Sequence, residues 1–183
     1  DRYEAEIPAL SAIERAGYTF DGWYEDADLS GDPVEVFQMA AEDRTLYAKW
    51  IANTDTRYVV EHYQQDLNGG FTLTDQEEKK GTTDTSVTPK LKTYAGFTAP
   101  EVQEVIIKGD GSTVVRYEYT RNTYTITFAV NGGEMEADAA ITALYGSPIT
   151  LPTPVRDGYG FTGWYVDGTL FTEAAMPADN VTL

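Results

Sequence analysis

The sequence predicts a mostly β chain with short helices, an α+β class built from small modules. Three observations predict it. First, an aromatic phrase occurs twice: Gly17-Tyr18-Thr19-Phe20-Asp21-Gly22-Trp23-Tyr24 returns as Gly158-Tyr159-Gly160-Phe161-Thr162-Gly163-Trp164-Tyr165. A chain built from repeats is an array of small units rather than one enzyme body. Second, short segments of period-two alternation are separated by Asn-Gly and Asp-Gly turn signals. Third, prolines break the stretch from Tyr145 to Pro154, which excludes a long helix there.

Residues 1–50 hold the first copy. Ser11 to Gly17 predicts one or two helical turns, with Ser11 as N-cap, Glu14 closing a capping box and Gly17 ending the helix. The aromatic strand follows. The copy closes with Thr45-Leu46-Tyr47-Ala48-Lys49-Trp50. The tails of the two copies also match, Met39 through Leu46 with Met176 through Leu183, and the loop before the tail is longer in the first copy.

Residues 56–121 form a different unit. Arg57 to Tyr63 reads as a strand, Asn68-Gly69-Gly70 as a hairpin turn, and Phe71 to Thr74 as the return. Gly81-Thr82-Thr83 breaks the chain, and Ser86 to Lys92 predicts a short helix or turn around Pro89. Val102 to Ile107 and Thr113 to Tyr119 are further strands, with Asp110-Gly111 turning between them. Val115, Tyr117 and Tyr119 fall on one face of the last strand, Arg116 and Glu118 on the other.

Residues 123–183 hold the second copy, from its head. Tyr124 to Phe128 alternates as a half-buried strand, Asn131-Gly132-Gly133 marks a hairpin, and Ile141 to Leu144 returns. The aromatic strand ends at Trp164-Tyr165, Asp167-Gly168 turns, and Val181-Thr182-Leu183 begins another strand. Read together, 1–50 is a repeat lacking its first strand and 123–183 a repeat lacking its last, as in a piece of a longer array. The joints, Ile51 to Asp55 and Thr120 to Thr123, are short and not Gly/Ser-rich, so the expectation is a semi-rigid, elongated row.

These residues resemble known bacterial surface modules. The aromatic phrase with its Tyr47-Ala48-Lys49-Trp50 ending, and the third segment from Tyr124 to Tyr165, resemble the Listeria–Bacteroides repeat, the internalin-type B-repeat. The middle segment resembles the mucin-binding-protein repeat through Val59-Val60-Glu61-His62-Tyr63, Gly81-Thr82-Thr83, Lys92-Thr93-Tyr94-Ala95-Gly96-Phe97 and Asp110 to Tyr119. The resemblance implies tandem β-grasp-like, ubiquitin-like modules on the outside of a Gram-positive cell, in an extracellular, cell-wall-attached protein. It implies no catalytic residues. The expected function is a stalk or spacer of an adhesin; the alternative is an adhesive module for host mucin or another glycoprotein or glycan. Neighbouring repeats of the same protein are further expected partners.

Composition sets outer bounds. Across 183 residues the net charge is −17, and cysteine is absent, which removes disulfides and thiolate chemistry. Residues 1–50 carry 4 basic against 12 acidic side chains, 51–122 carry 8 against 11, and 123–183 carry 1 against 7. No stretch is basic, which disfavours nucleic acid and anionic membranes as partners. No apolar run is long enough to span a membrane in this stretch.

Few residues offer chemistry. Asp26, Asp28, Ser30 and Asp32 have the spacing that opens a calcium loop. The twelfth position, where a bidentate Glu belongs, holds Phe37, so the reading is an acidic solvated loop. Trp23, Trp50 and Trp164 read as module core, with sugar stacking as the other use of such rings. Tyr117 and Tyr119 are equal candidates for sugar platforms. His62, the single histidine, has no Ser/His/Asp set or metal partner and reads as structural. No cofactor and no enzyme activity are expected.

Overall fold

The computed structural model describes residues 11–35, 43–136 and 139–183. The expectations that fall on residues 1–10, Phe37 and Met39 lie outside these. Among the described residues the secondary structure is all β: β1 (Tyr18–Tyr24), β2 (Tyr47–Ala52), β3 (Thr56–Gln65), β4 (Phe71–Gly81), β5 (Ser86–Val87), β6 (Phe97–Thr98), β7 (Val105–Ile106), β8 (Val114–Arg121), β9 (Thr123–Thr127), β10 (Ala140–Leu144), β11 (Tyr165–Val166), β12 (Thr169–Leu170) and β13 (Val181–Thr182).

Both expected helices are corrected. Ser11 to Glu14 has no regular structure. The next four residues close a tight turn, with the Tyr18 N–H donating to Arg15 O at 3.0 Å, and Gly17 sits at φ +79°. The left-handed Gly17 thus serves this four-residue turn rather than capping a helix. In Ser86 to Lys92 the first two residues pair antiparallel with Val105–Ile106, and Pro89 lies in the irregular stretch that follows.

The strands assemble into a β1–β2 pair, a four-stranded sheet ordered β4-β3-β8-β6, a β5–β7 pair, a three-stranded sheet ordered β10-β9-β13, and a β11–β12 hairpin. The two larger sheets share one wiring. In each, the first strand is central, its hairpin partner lies on one side and a later strand on the other. β13 runs parallel to β9, with Val181 beside Ile126. β8 runs the same way as β3: Val59 N–H meets Thr113 O at one end, and the Arg121 side chain meets Gln65 O at the other.

Turn chemistry refines the strand ends. Asp167 and Gly168 both take positive φ, as a two-residue hairpin requires. Asn131 and Gly132 do so too, but their turn lies inside a longer loop, because Glu134 pairs with Val155 rather than with β10. At the β3–β4 turn the organiser is Asp66, not Asn68. Its carboxylate accepts the amides of Asn68 (2.8 Å) and Gly70 (2.9 Å), while Gly69 supplies the left-handed residue.

The chain gathers into two compact units. One comprises residues 1–60, 77–89 and 103–115; the other 61–76, 90–102 and 116–183. The core of the first holds Tyr58, Val59, Val60, Ile107 and Val115. In the second, Ile126, Phe128, Trp164, Met176 and Leu183 cluster under the three-stranded sheet. There too Tyr117, Tyr119 and His62 are each 0% exposed. Tyr94 packs edge-on against Tyr119 at 4.8 Å. The Tyr119 hydroxyl accepts the Lys92 amide at 2.8 Å and lies 2.9 Å from His62 Nδ1. Tyr119→Phe withdraws that hydroxyl from both groups. Thermal unfolding should show a loss of about 1–3 kcal/mol, the usual cost of stripping a buried hydrogen-bond partner.

Candidate functional site

The aromatic phrase repeats in geometry as well as in letters. Gly17 and Gly158 lie at φ +79° and +77°, Gly22 and Gly163 at +133° and +137°. The Tyr18 amide closes its turn on Arg15 O at 3.0 Å, and the Tyr159 amide does the same on Arg156 O. Each arginine lies over the tyrosine of its own turn, at 3.8 Å and 4.1 Å. Phe20 meets Trp23 edge-on at 5.5 Å, and Phe161 meets Trp164 at the same distance. Each indole N–H reaches a carbonyl twelve residues back: Trp23 to Ser11 at 3.4 Å, Trp164 to Pro152 at 2.8 Å. One flank of each phrase is also tied alike, Val34 N–H to Trp23 O and Phe171 N–H to Trp164 O, both at 2.8 Å.

A second repeated device sits in the two short segments the sequence marks as joints, 51–55 and 120–123. Asn53 follows β2 and Asn122 follows β8. Asn53 N–H donates to Gly17 O, and Asn122 N–H to Gly96 O, both at 2.9 Å. The side chain of each accepts a threonine hydroxyl two residues past that glycine: Thr19 at 2.7 Å, Thr98 at 2.6 Å. The carbonyl of each then accepts an amide from the segment that follows, Thr83 N–H at 2.9 Å and Tyr145 N–H at 2.8 Å. Each asparagine thus binds backward through its amide and side chain and forward through its carbonyl. One residue joins two segments by three hydrogen bonds.

Close packing locks the same places. A Cβ on Gly17 would stand 2.2 Å from the Cα of Gly109, and one on Gly109 would stand 2.2 Å from Ala16 O. Two backbones touch there because neither residue has a side chain. At the other joint a Cβ on Gly96 would enter the Tyr145 ring at 2.2 Å. Arg121 braces this joint: its Nε donates to Gln65 O at 2.9 Å and its terminal nitrogen to Tyr145 O at 2.7 Å. Its guanidinium lies over Phe97 at 4.7 Å. At the first joint the Tyr18 hydroxyl donates to Asp84. That bond pushes the Tyr18 hydroxyl pKa up, since an anion beside it disfavours ionisation.

The Listeria-Bacteroides repeat domain matches residues 2–49 and 124–183, more than half of the chain. The chain belongs to this family. A protein of Evansella cellulosilytica named "Putative Gly-rich membrane protein" is 34% identical over 186 residues, covering 94% of this chain and 20% of that protein. A second Evansella cellulosilytica protein is 34% identical over 170 residues, covering 88% of this chain and 24% of its own length. Internalin H of Listeria monocytogenes is 38% identical over 71 residues, covering 36% of this chain and 12% of that protein. The chain therefore spans a quarter or less of the length of each.

The residues singled out in the sequence do not converge on a site. In the calcium-spaced loop of the first repeat, Asp26 uses both carboxylate oxygens on its own turn: Oδ1 accepts the Asp28 amide at 3.0 Å and Oδ2 the Ser30 hydroxyl at 2.6 Å. The Ser30 bond holds the Asp26 carboxyl below the usual carboxylate range. Asp28, Ser30 and Asp32 are exposed. Among the described residues no three His, Asp or Glu side chains cluster to hold a metal. Trp164 is buried, and Trp23 and Trp50 are half-buried against Phe20. Tyr117 and Tyr119 are not sugar platforms, because their strand turns them inward. No described helix is long and apolar enough to cross a membrane.

The glycine-asparagine joints carried a sequence signal that period reading missed. Asn-Thr follows the closing strand at Asn53-Thr54 and again at Asn122-Thr123. Gly-aromatic-Thr stands upstream of each, at Gly17-Tyr18-Thr19 and Gly96-Phe97-Thr98. Substituting either glycine tests the device. Gly17→Ala and Gly96→Ala each combine a left-handed backbone with a steric clash and should cost more than about 1 kcal/mol by thermal or urea unfolding. Ordinary trypsin resistance near the matching joint should fall with it.

A pH prediction follows from the tied carboxylates. Lys49 lowers the pKa of Asp21, the Tyr94 hydroxyl that of Asp75, and the Ser112 hydroxyl that of Asp110. Groups with depressed folded values add stability above the unfolded range and lose it as pH falls through the folded values. Stability should therefore decline below about pH 4, the unperturbed carboxylate range. Asp75→Asn should flatten that acid limb in a series of thermal melts.

Proposed function

We propose that this chain is a non-catalytic segment of a bacterial cell-surface protein, a spacer of tandem repeats that holds the binding part of an adhesin away from a cell wall. The observation that carries this reading is the pair of asparagine clamps. Each lies where a flexible tether would otherwise run, and each sits inside one compact unit. Rigid joints are what a spacer needs, because end-to-end reach collapses when joints bend freely. On this reading 1–50, 56–121 and 123–183 are successive modules, each β-grasp-like, in an extracellular setting; relatives named as membrane proteins and as an internalin support a surface location. The central first strand flanked by its hairpin partner and a parallel later strand supports the β-grasp assignment. The middle module is read as a mucin-binding-protein-type repeat.

The absence of cysteine makes the test direct, since introduced cysteines label uniquely. Spin-label pairs at Thr45→Cys with Glu104→Cys, and at Lys90→Cys with Glu173→Cys, span one joint each. Each pair should give one narrow distance distribution, which Asn53→Ala or Asn122→Ala broadens. Broad distributions at both joints of the unsubstituted chain would sink the spacer reading. The second reading rests on the resemblance of 56–121 to mucin-binding repeats. Saturable binding to immobilised mucin or a glycan panel, lost on deleting that module, would favour adhesion to host glycoprotein; calcium dependence would bring back the Asp26 loop.

A further inference from the structure

His62 is the single histidine of the chain, and the interior of the second compact unit closes around it. None of its ring reaches solvent. The rings of Tyr117 and Tyr119 lie 5.7 Å and 5.8 Å from it. Nδ1 stands 2.9 Å from the Tyr119 hydroxyl, and that hydroxyl also accepts the Lys92 amide at 2.8 Å. The Lys92 segment leads on to the second joint. Tyr94 packs edge-on against Tyr119 and donates its hydroxyl to Asp75. Its carbonyl accepts the Phe97 amide at 3.2 Å, closing the turn that sets Gly96 at φ +80°. Gly96 O accepts the Asn122 amide, and the Thr98 hydroxyl donates to the Asn122 side chain. His62 therefore stands at one end of a continuous run of contacts whose other end is the clamp.

We propose that His62 is a proton-operated release for the Asn122 clamp: its neutral ring lets Tyr119 hold the segment from Lys92 to Tyr94, and its charged ring withdraws that hold. A neutral ring offers Nδ1 as an acceptor to the Tyr119 hydroxyl, which leaves the oxygen's lone pairs to the Lys92 amide. Protonation makes both ring nitrogens donors. The Tyr119 oxygen then faces two N–H donors, and its own proton must turn away from the ring. The hold on Lys92 is contested, and the turn at Gly96 loses an anchor. The direction in pH follows from burial. An imidazole ordinarily takes a proton near about pH 6.5, and removal from water disfavours its charged form. The closed state thus binds fewer protons than the opened one, so the hold weakens as pH falls below that value. The charged groups around the ring do not reverse this. Asp75 of β4 favours a charged ring, but the Tyr94 hydroxyl and Lys92 Nζ, at 3.5 Å, already engage its carboxylate, and Lys92 carries like charge. Glu77, on the same side of β4, pairs with Lys79 at 2.7 Å. β8 turns Tyr117 and Tyr119 toward the ring and Arg116 and Glu118 away from it. On β3 itself, Glu61 and Tyr63 alternate to the opposite face.

Amide hydrogen exchange on the full chain tests it, read by NMR at about pH 7.5 and about pH 5, on either side of the ordinary imidazole range, and corrected for intrinsic rates. An opening that takes up one proton changes protection by at most about tenfold per pH unit. The amides of Lys92, Phe97 and Asn122 should lose about tenfold in protection across that range, while those of Asn53 and Thr83 at the first joint keep theirs. His62→Asn keeps an acceptor near the Nδ1 position and cannot take the proton, so its protection should be equal at both pH values. The ring-proton shifts of His62 in the unsubstituted chain need no variant, and should move in step with the loss at Lys92 and Asn122. The inference rests on the clamp of the spacer reading. An Asn122 amide already unprotected at the higher pH would sink both, whereas protection that persists at the lower pH would overturn this inference alone. So would equal losses at the two joints, a pH response that survives His62→Asn, or a ring that charges while Lys92 stays protected.

Discussion

Gly17 and Gly96 hold a backbone carbonyl where the amide of Asn53 or Asn122 reaches it, and the order of segments rests on that contact. Each glycine has a positive φ, and its carbonyl accepts the asparagine amide at 2.9 Å. The asparagine then uses its backbone amide, its backbone carbonyl and its side-chain oxygen. A single hydrogen bond of this kind contributes only about 0.5–1.5 kcal/mol net. Three on one residue, in a place where the backbone is also sterically pinned, fix a direction as well as add stability. The glycine is needed because any side chain would meet Gly109 in one case and Tyr145 in the other.

The repeated phrase shows how strongly strand formation depends on a partner. Tyr18 to Tyr24 is a strand, and the equivalent residues up to Trp164 are not, although their turns, rings and left-handed glycines coincide. The difference lies across the sheet. β2 supplies hydrogen bonds and a tryptophan to one copy, and nothing in the described chain does so for the other. Side-chain packing within the phrase survives without the ladder, because the Phe–Trp pair and the arginine over tyrosine are local contacts. In the second copy Trp164 packs against Phe128 at 4.7 Å, under a three-stranded sheet.

Much of this was legible in the residues. The repeat itself, the β class, the shared face of Val115, Tyr117 and Tyr119, and the Asp167-Gly168 hairpin all follow from period and turn chemistry. The family followed from the same phrase. The helices did not materialise, because Ser11 and Glu14 form a capping pattern only if the following turn is helical, and Gly17 is committed to the joint. Asp66 displaced Asn68 as the turn organiser because an aspartate two and four residues back reaches both amides. Tyr117 and Tyr119 were readable as a face, but which side that face met was not.

Sequence by itself determined the local devices: left-handed glycines, alternating strands and the aromatic pairs spaced for contact along one segment. These depend on interactions within a few residues, where covalent geometry limits the choices. Only the tertiary structure decided which carbonyl each asparagine meets and which tyrosines are buried. Those outcomes join residues tens of positions apart, from Gly17 to Asn53 to Thr83. No local rule carries such pairings, because hydrogen bonds and burial are satisfied by whichever partner the whole fold brings near.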